Sequence, residues 1–155
     1  MRIGDAVPSL EGATTWFNGS LEDATETIKE KPTLVHFWAV SCGICKDKMP
    51  QLNEIKKKYG ALGLQTIAVH MPRYEADTDL DLVDEAITAN HITEPTAVDS
   101  LHKLKDAFLN EQGWVPVYYL FDAEGKLKTR AAGEFGISVL QTALDKMFAT
   151  QAAAA

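Results

Sequence analysis

The chain has 155 residues and a mass of 17.0 kDa, the size of one ordinary domain that can bury a core without disulfide staples. A composition 46% hydrophobic and 24% charged excludes a disordered or collagen-like chain. The formal net charge of −7 argues against a nucleic-acid binder and gives no polybasic signal for a membrane surface.

Ile3 to Trp16 is broken by Gly4, Pro8 and Gly12 and is expected to be irregular or a short hairpin. No signal-peptide core stands at the N-terminus and no apolar run is long enough to span a bilayer, so a cytoplasmic protein without a membrane partner is expected. Ser20-Leu21-Glu22-Asp23 reads as a capping box, and Leu21, Ala24 and Ile28 follow at helical spacing until Lys31-Pro32. Thr33 to Val40 is β-branched, aromatic and nearly all apolar, the signature of a strand buried on both faces. Helical spacing resumes after the first cysteine with Met49, Leu52, Ile55 and Tyr59, while Lys46, Lys48, Lys56, Lys57 and Lys58 fill the expected wet face. Pro50 falls inside this helix, where it removes a hydrogen bond. Leu64 to His70 is the next buried strand, completing a βαβ unit.

Met71 to Thr78 is polar and predicted as loop. Leu80, Val83 and Ile87 mark a helix, Thr96-Ala97-Val98 a short strand, and Leu101, Leu104 and Phe108 another helix. Val117 to Phe121 and Leu127 to Ala132 form a predicted hairpin around Asp122-Ala123-Glu124-Gly125, with one of Tyr118 and Tyr119 facing a core. A last helix carries Val139, Leu140, Ala143, Leu144, Met147 and Phe148 on one face. The whole predicts one domain over 1–150, α/β with a mixed central sheet and helices on both faces, and a disordered tail over 151–155.

The only two cysteines, Cys42 and Cys45, lie three positions apart. A structural disulfide closing so short a loop would restrict the unfolded chain little, and a structural zinc site normally takes four ligands. Two thiols at this spacing inside a βαβ unit point to redox chemistry. Cys42 falls at the start of the helix, where free N–H groups and the helix dipole favour a thiolate, and Cys45 lies one turn further in and more covered. That asymmetry makes Cys42 the attacking thiol and Cys45 the one that resolves the mixed disulfide. Gly43 and Ile44 between them tune the redox poise, and Ile44, adding neither charge nor donor, favours a reductant.

Phe37-Trp38-Ala39-Val40-Ser41-Cys42-Gly43-Ile44-Cys45-Lys46, with Pro50 beyond it, resembles the active-site segment of thioredoxin-like proteins. Trp114-Val115-Pro116 and the strand after it resemble that family's cis-proline segment. The extra length at Met71 to Thr93 is similar to the helical insert of the TlpA/ResA-like subfamily, and Ala68-Val69-His70-Met71-Pro72-Arg73 with Val98-Asp99-Ser100 to its cytosolic YkuV-type members. The resemblance implies a thioredoxin fold with an N-terminal extension and a thiol–disulfide oxidoreductase of the protein-disulfide reductase type. It implies no cofactor, disulfide-containing protein substrates, an upstream electron donor and a monomer. Pro116 is then a cis-proline that presents Val115 to an extended substrate. Trp38 and Trp114 flank the disulfide beside Ser41, Gly43 and Ile44, with plain core packing the alternative for both and more so for Trp38.

Three positions depart from the pattern: Ser41 stands where a tryptophan is usual, His36 replaces the buried aspartate, and Arg73 replaces the glutamate of the insert. His36 is a candidate base for Cys45 or else a hydrogen-bonded core histidine; Glu75 is a second candidate base or else a solvated carboxylate. His91 and His102 are expected to be solvated. A peroxiredoxin is disfavoured because Ala39 stands where its threonine is needed, and the cysteine spacing is too tight for a copper chaperone of related fold. The alternative function is a zinc or copper site completed by His36 or His70, or a redox-sensing interaction module; metal: none is the reading preferred.

Overall fold

The computed structural model describes residues 1–154, without the side chains of 150–154. Its elements are β1 (Thr15–Phe17), α1 (Leu21–Thr27), β2 (Thr33–Trp38), α2 (Gly43–Gly60), β3 (Gln65–His70), α3 (Leu80–Ala89), β4 (Thr96–Val98), α4 (Lys103–Ala107), β5 (Val117–Phe121), β6 (Leu127–Ala132) and α5 (Gly136–Ala154). Of the tail at 151–155, expected to be disordered, residues 151–154 continue α5 and Ala155 lies outside the described residues.

The six strands form one sheet in the order β1-β4-β3-β2-β5-β6. β2, β3 and β4 run parallel, while β1, β5 and β6 pair antiparallel with their neighbours. Parallel strands need crossovers that cover the faces, so β2 is buried at every residue. Alternation along β2 then divides two cores. Leu34 and Trp38 face α2, α3 and α5 with Met49, Leu52, Val83, Ile87, Leu140 and Leu144. Val35 and Phe37 face α1 and α4 with Ala24, Leu104 and Phe108. In this second core Phe108 meets Phe37 and Tyr119 edge-on at 5.3 and 5.2 Å between ring centroids. Each aliphatic or aromatic side chain buried this way contributes roughly 1.5–3 kcal/mol.

Several expectations change because both faces of the sheet are covered. Tyr118 and Tyr119 are both buried, not one of them. The strand expected to reach Val40 ends at Trp38, since Cys42 N–H already turns back onto the Ala39 carbonyl at 3.0 Å. The N-terminal extension is neither wholly irregular nor a hairpin: β1 pairs with β4, and Ala6 bridges Lys126. Gly4 N–H to the Leu127 carbonyl and Leu127 N–H to the Asp5 carbonyl, both 2.8 Å, lay the extension against the start of the edge strand β6. The segment expected as loop after β3 contains one 3-10 turn, Glu75–Thr78. Leu80, Leu101 and Val139, expected on apolar faces, are exposed. Leu80 opens α3 one turn before Val83 reaches the core, Leu101 precedes α4, and Val139 sits off the Leu140–Leu144 stripe.

Helix α2 positions the site. Its buried residues Cys45, Met49, Leu52, Ile55 and Tyr59 follow the helical period onto the sheet, and it continues through Pro50. The Tyr59 hydroxyl donates to Asp145 and ties α2 to α5. Ser20 caps α1 as its spacing predicts, accepting from Asp23 N–H at 3.1 Å. Gly125 takes φ +76° in the β5–β6 turn, where a side chain would be strained.

Candidate active site

Cys42 is the N-cap of α2, with extended backbone at φ −89° and ψ 100°. Its Sγ accepts the Cys45 N–H at 3.1 Å, so one of the four N–H groups that open the helix points at this sulfur. The two sulfurs are joined in a disulfide across a Cα–Cα distance of 5.3 Å, ordinary for such a bond. Cys42 is 3% exposed and Cys45 2%. The expected contrast in cover is therefore absent, and what separates the two thiols is position: one caps the helix and the other lies within its first turn.

The loop 39–42 is held from the side by the segment after β3. Met71 N–H donates to the Trp38 carbonyl at 2.9 Å, and Val40 N–H to His70 Nε2 at 3.2 Å. An Nε2 that accepts leaves the His70 proton on Nδ1, which has no partner among the described residues. Burial pushes His70 down to about 4, and only the nearby Asp77 charge opposes that. Asp77 was not singled out in the sequence, yet it is the buried carboxylate of this segment. It accepts Ser41 N–H at 3.1 Å, the Ser41 hydroxyl at 2.7 Å, Arg73 N–H at 3.0 Å and Tyr74 N–H at 3.3 Å. Burial works to raise its pKa, but the Arg73 N–H, the Ser41 hydroxyl and the Tyr74 N–H outweigh it and hold Asp77 below the ordinary range. Glu75, two residues earlier, is exposed. The guanidinium of Arg73 donates to Ser41 Oγ from Nη2 at 3.1 Å, next to the disulfide.

His36 lies on β2 on the same face as Leu34 and Trp38. Its Nε2 donates to Glu94 Oε2 at 2.7 Å, and Lys56 Nζ donates to Glu94 Oε1 at 2.7 Å. Lys56 thus leaves the wet face expected for it; its side chain is 13% exposed. Burial would raise the Glu94 pKa, but His36, by hydrogen bond and charge, and then Lys56 draw it down to about 2. Glu94 carried no signal in the sequence, because its partners come from β2 and α2, 58 and 38 positions away.

Just ahead of β5 the Val115–Pro116 bond is cis and Pro116 is buried, and Val115 packs against the core cluster that holds Cys42 and Cys45. Asn110, also not singled out, fixes this segment: its Oδ1 accepts Trp114 N–H at 3.1 Å and its Nδ2 donates to the Trp114 carbonyl at 2.9 Å. Trp114 is 50% exposed and Ile44 43%, and Ser41 and Gly43 are also exposed. Trp38 is 1% exposed and stands edge-on to His70 at 4.8 Å. Of its two expected roles the structure shows the core one, and Trp38 is corrected from the docking surface. His102 remains exposed, and its Nε2 bonds the Pro72 carbonyl at 2.8 Å.

A sheet of this order, with a disulfide at the N-terminus of α2 and a cis-proline opening the strand that pairs with β2, is a thioredoxin-like fold carrying the cysteine pair of thiol–disulfide exchange. Residues 2–144 match the Redoxin family, and the chain belongs to it. It is 43% identical over 149 residues to the thiol-disulfide oxidoreductase YkuV of Bacillus subtilis, covering 96% of this chain and 98% of that one. It is 26% identical over 147 residues to the thiol-disulfide oxidoreductase ResA of Bacillus cereus, covering 95% and 79%. The solution structure of a thioredoxin-like protein in its oxidized form superposes with a TM-score of 0.85 at 43% identity, over 97% of this chain and 99% of that one. The protein is a thiol–disulfide oxidoreductase of this family. No helix among the described residues is long and apolar enough to cross a membrane.

Proposed function

We propose that the protein works as a reductase of protein disulfides, with Cys42 as nucleophile and Cys45 as resolving thiol. In the reduced protein the Cys42 thiolate attacks one sulfur of the substrate disulfide. A Cys42–substrate bond forms, the substrate S–S bond breaks, and the leaving thiolate takes a proton. The Cys45 thiol then loses its proton and attacks Cys42 Sγ, releasing the second substrate thiolate and closing the Cys42–Cys45 disulfide. Two electrons pass to the substrate, and an upstream dithiol donor restores them. The observation that carries the assignment is the Cys45 N–H aimed at Cys42 Sγ at the head of an 18-residue helix, which favours negative charge on that sulfur.

Proton transfer falls to His36 in preference to the exposed Glu75. Glu94 occupies Nε2, so His36 would serve Cys45 through Nδ1. Ser41, Gly43, Ile44 and Trp114 form the docking rim, and Val115, ahead of the cis bond, pairs with an extended substrate. The reductant direction fits a motif whose middle residues add no charge, and a monomer in the cytoplasm, serving cell redox homeostasis away from nucleic acid and membrane, fits the acidic chain whose two cysteines both belong to the motif. The decisive experiment compares Cys42→Ser with Cys45→Ser on a protein disulfide. Cys42→Ser abolishes reduction, while Cys45→Ser stalls as a mixed disulfide on Cys42; turnover by Cys42→Ser overturns the roles. The midpoint potential of the couple tests direction, a value near the reducing cytosolic poise supporting a reductase.

A further inference from the structure

Beside the disulfide lies a cleft of about 280 Å³, lined by Arg73, Tyr74, His102, Lys105, Gln112 and Gly113 over Met71 and Pro72. Three of these side chains are basic types and none is acidic, although the chain carries 22 acidic against 15 basic residues. One end of the cleft reaches the nucleophile: Arg73 bonds Ser41 Oγ, and Ser41 precedes Cys42. The other end reaches the cis-proline segment, since Gly113 precedes Trp114. A polypeptide whose disulfide sits on Cys42, and whose backbone follows Val115, therefore runs along residues that adjoin the cleft in the chain.

The guanidinium is fixed in place before any ligand arrives, and the backbone that carries the ammonium is held. Nε and Nη2 of Arg73 donate to the same Ser41 Oγ at 3.3 and 3.1 Å, and its guanidinium lies over the Tyr74 ring at 5.5 Å. That orients the planar group while leaving Nη1 for a ligand. Lys105 is half-buried, and its backbone N–H is held by Asp99 Oδ2 at 2.8 Å. Its stem passes Gly113, where a Cβ would stand 3.5 Å from Lys105 Cε and 3.8 Å from Met71 Cε. Gly113, at φ +67°, thus keeps open the space a side chain would fill. A fixed guanidinium and an ammonium lining one cleft form a donor set that recognises a carboxylate.

We propose that this cleft is a subsite for an acidic side chain, Asp or Glu, lying near the reducible disulfide of the polypeptide substrate. The inference rests on the reading that the protein reduces protein disulfides, and it names a feature of the substrates it prefers.

The test uses mixed-disulfide peptides identical except for Asp, Asn or Lys at successive positions either side of the reducible cysteine, with kcat/KM measured for the reduced protein. At one position or more the Asp peptide exceeds the Asn peptide by about twofold to fivefold at low salt, the range expected for partly exposed ion pairs. The advantage disappears at about 1 M salt, where the screening length is ~3 Å. Lys105→Gln brings the Asp-to-Asn ratio toward one, and Lys105→Glu inverts the order in favour of the Lys peptide, which a purely structural role for Lys105 would not do. Equal rates at every position, or a ratio unmoved by the Lys105 variants, overturn the subsite. The Asn peptide reports the disulfide chemistry by itself. Its reduction with no charge preference sinks the subsite and leaves the reductase reading standing; no turnover of any peptide sinks both.

Discussion

Asp77 and Glu94 are both buried carboxylates held below their ordinary pKa, and they reach that state by different means. Asp77 is satisfied by three backbone N–H groups and a hydroxyl, all neutral, in the loops that frame Cys42. Glu94 is satisfied by an imidazole from β2 and an ammonium from α2. The first arrangement holds geometry: it fixes where Ser41, and with it Cys42, stands. The second holds charge: an ion inside the domain that is tolerated only while all partners are present. A carboxylate near an active site therefore has no single meaning, and its partners tell which of the two it serves.

The comparison breaks first at Glu94. Replacing it with Ala strands Lys56 and His36, and urea unfolding should show a loss of about 3–5 kcal/mol. The folded fraction should still reduce a disulfide peptide within about tenfold of wild type, the scale of a general-base contribution only partly lost. A stability unchanged by Glu94→Ala would remove the charge-holding role.

His70 gives the next largest effect, read through pH. Its ordinary value is 6.5 and burial lowers it to about 4 in the folded protein. Between these values the unfolded chain binds a proton that the folded protein does not. Stability is therefore full above pH 6.5 and falls as pH drops toward 4, by about 3 kcal/mol at the lower end. Glu94 adds a second loss lower down: with a folded value near 2 against an ordinary 4.5, its contribution is present above 4.5 and disappears toward 2. His70→Gln, whose amide oxygen can still accept from Val40 N–H, should flatten the upper window and leave the lower one. An unaltered profile in that variant would show that His70 does not control the upper window.

Asp77→Ala should reverse the Glu94 pattern. The hydrogen bonds it loses cost about 1–3 kcal/mol, but a nucleophile loop displaced by an ångström can lower kcat/KM by about ten- to a hundredfold. An activity loss no larger than that of Glu94→Ala would erase the distinction between the two carboxylates. The smallest effect is expected at Glu75, exposed on the same 3-10 turn: Glu75→Gln should stay within about 0.5 kcal/mol of wild type with an unshifted pH–rate profile.

What was legible in the sequence were the features that repeat with a local period. The buried strands, the face of α2, the β5–β6 turn and the Cys42–Cys45 pair follow from spacing within a dozen residues, because alternation and helical period are properties of neighbouring side chains. The sequence by itself thus determined the order of elements and the chemistry at their centre. Other features had no local signature. That Lys56 turns from solvent to Glu94, that Asp77 rather than Glu75 is the buried acid, that Asn110 braces Trp114, that Trp38 is core and that both tyrosines of β5 are covered were decided only when the crossovers packed β2 and β5 between two layers of helices. A buried polar group must find its partner wherever the fold brings one: Glu94 finds His36 and Lys56, and Asp77 finds Ser41, tens of residues away, while Arg73, Tyr74 and Trp114 lie within four residues of the groups they satisfy but carry no pattern that marks them. The tertiary structure chose the surroundings of the disulfide; the disulfide itself was written in four consecutive residues.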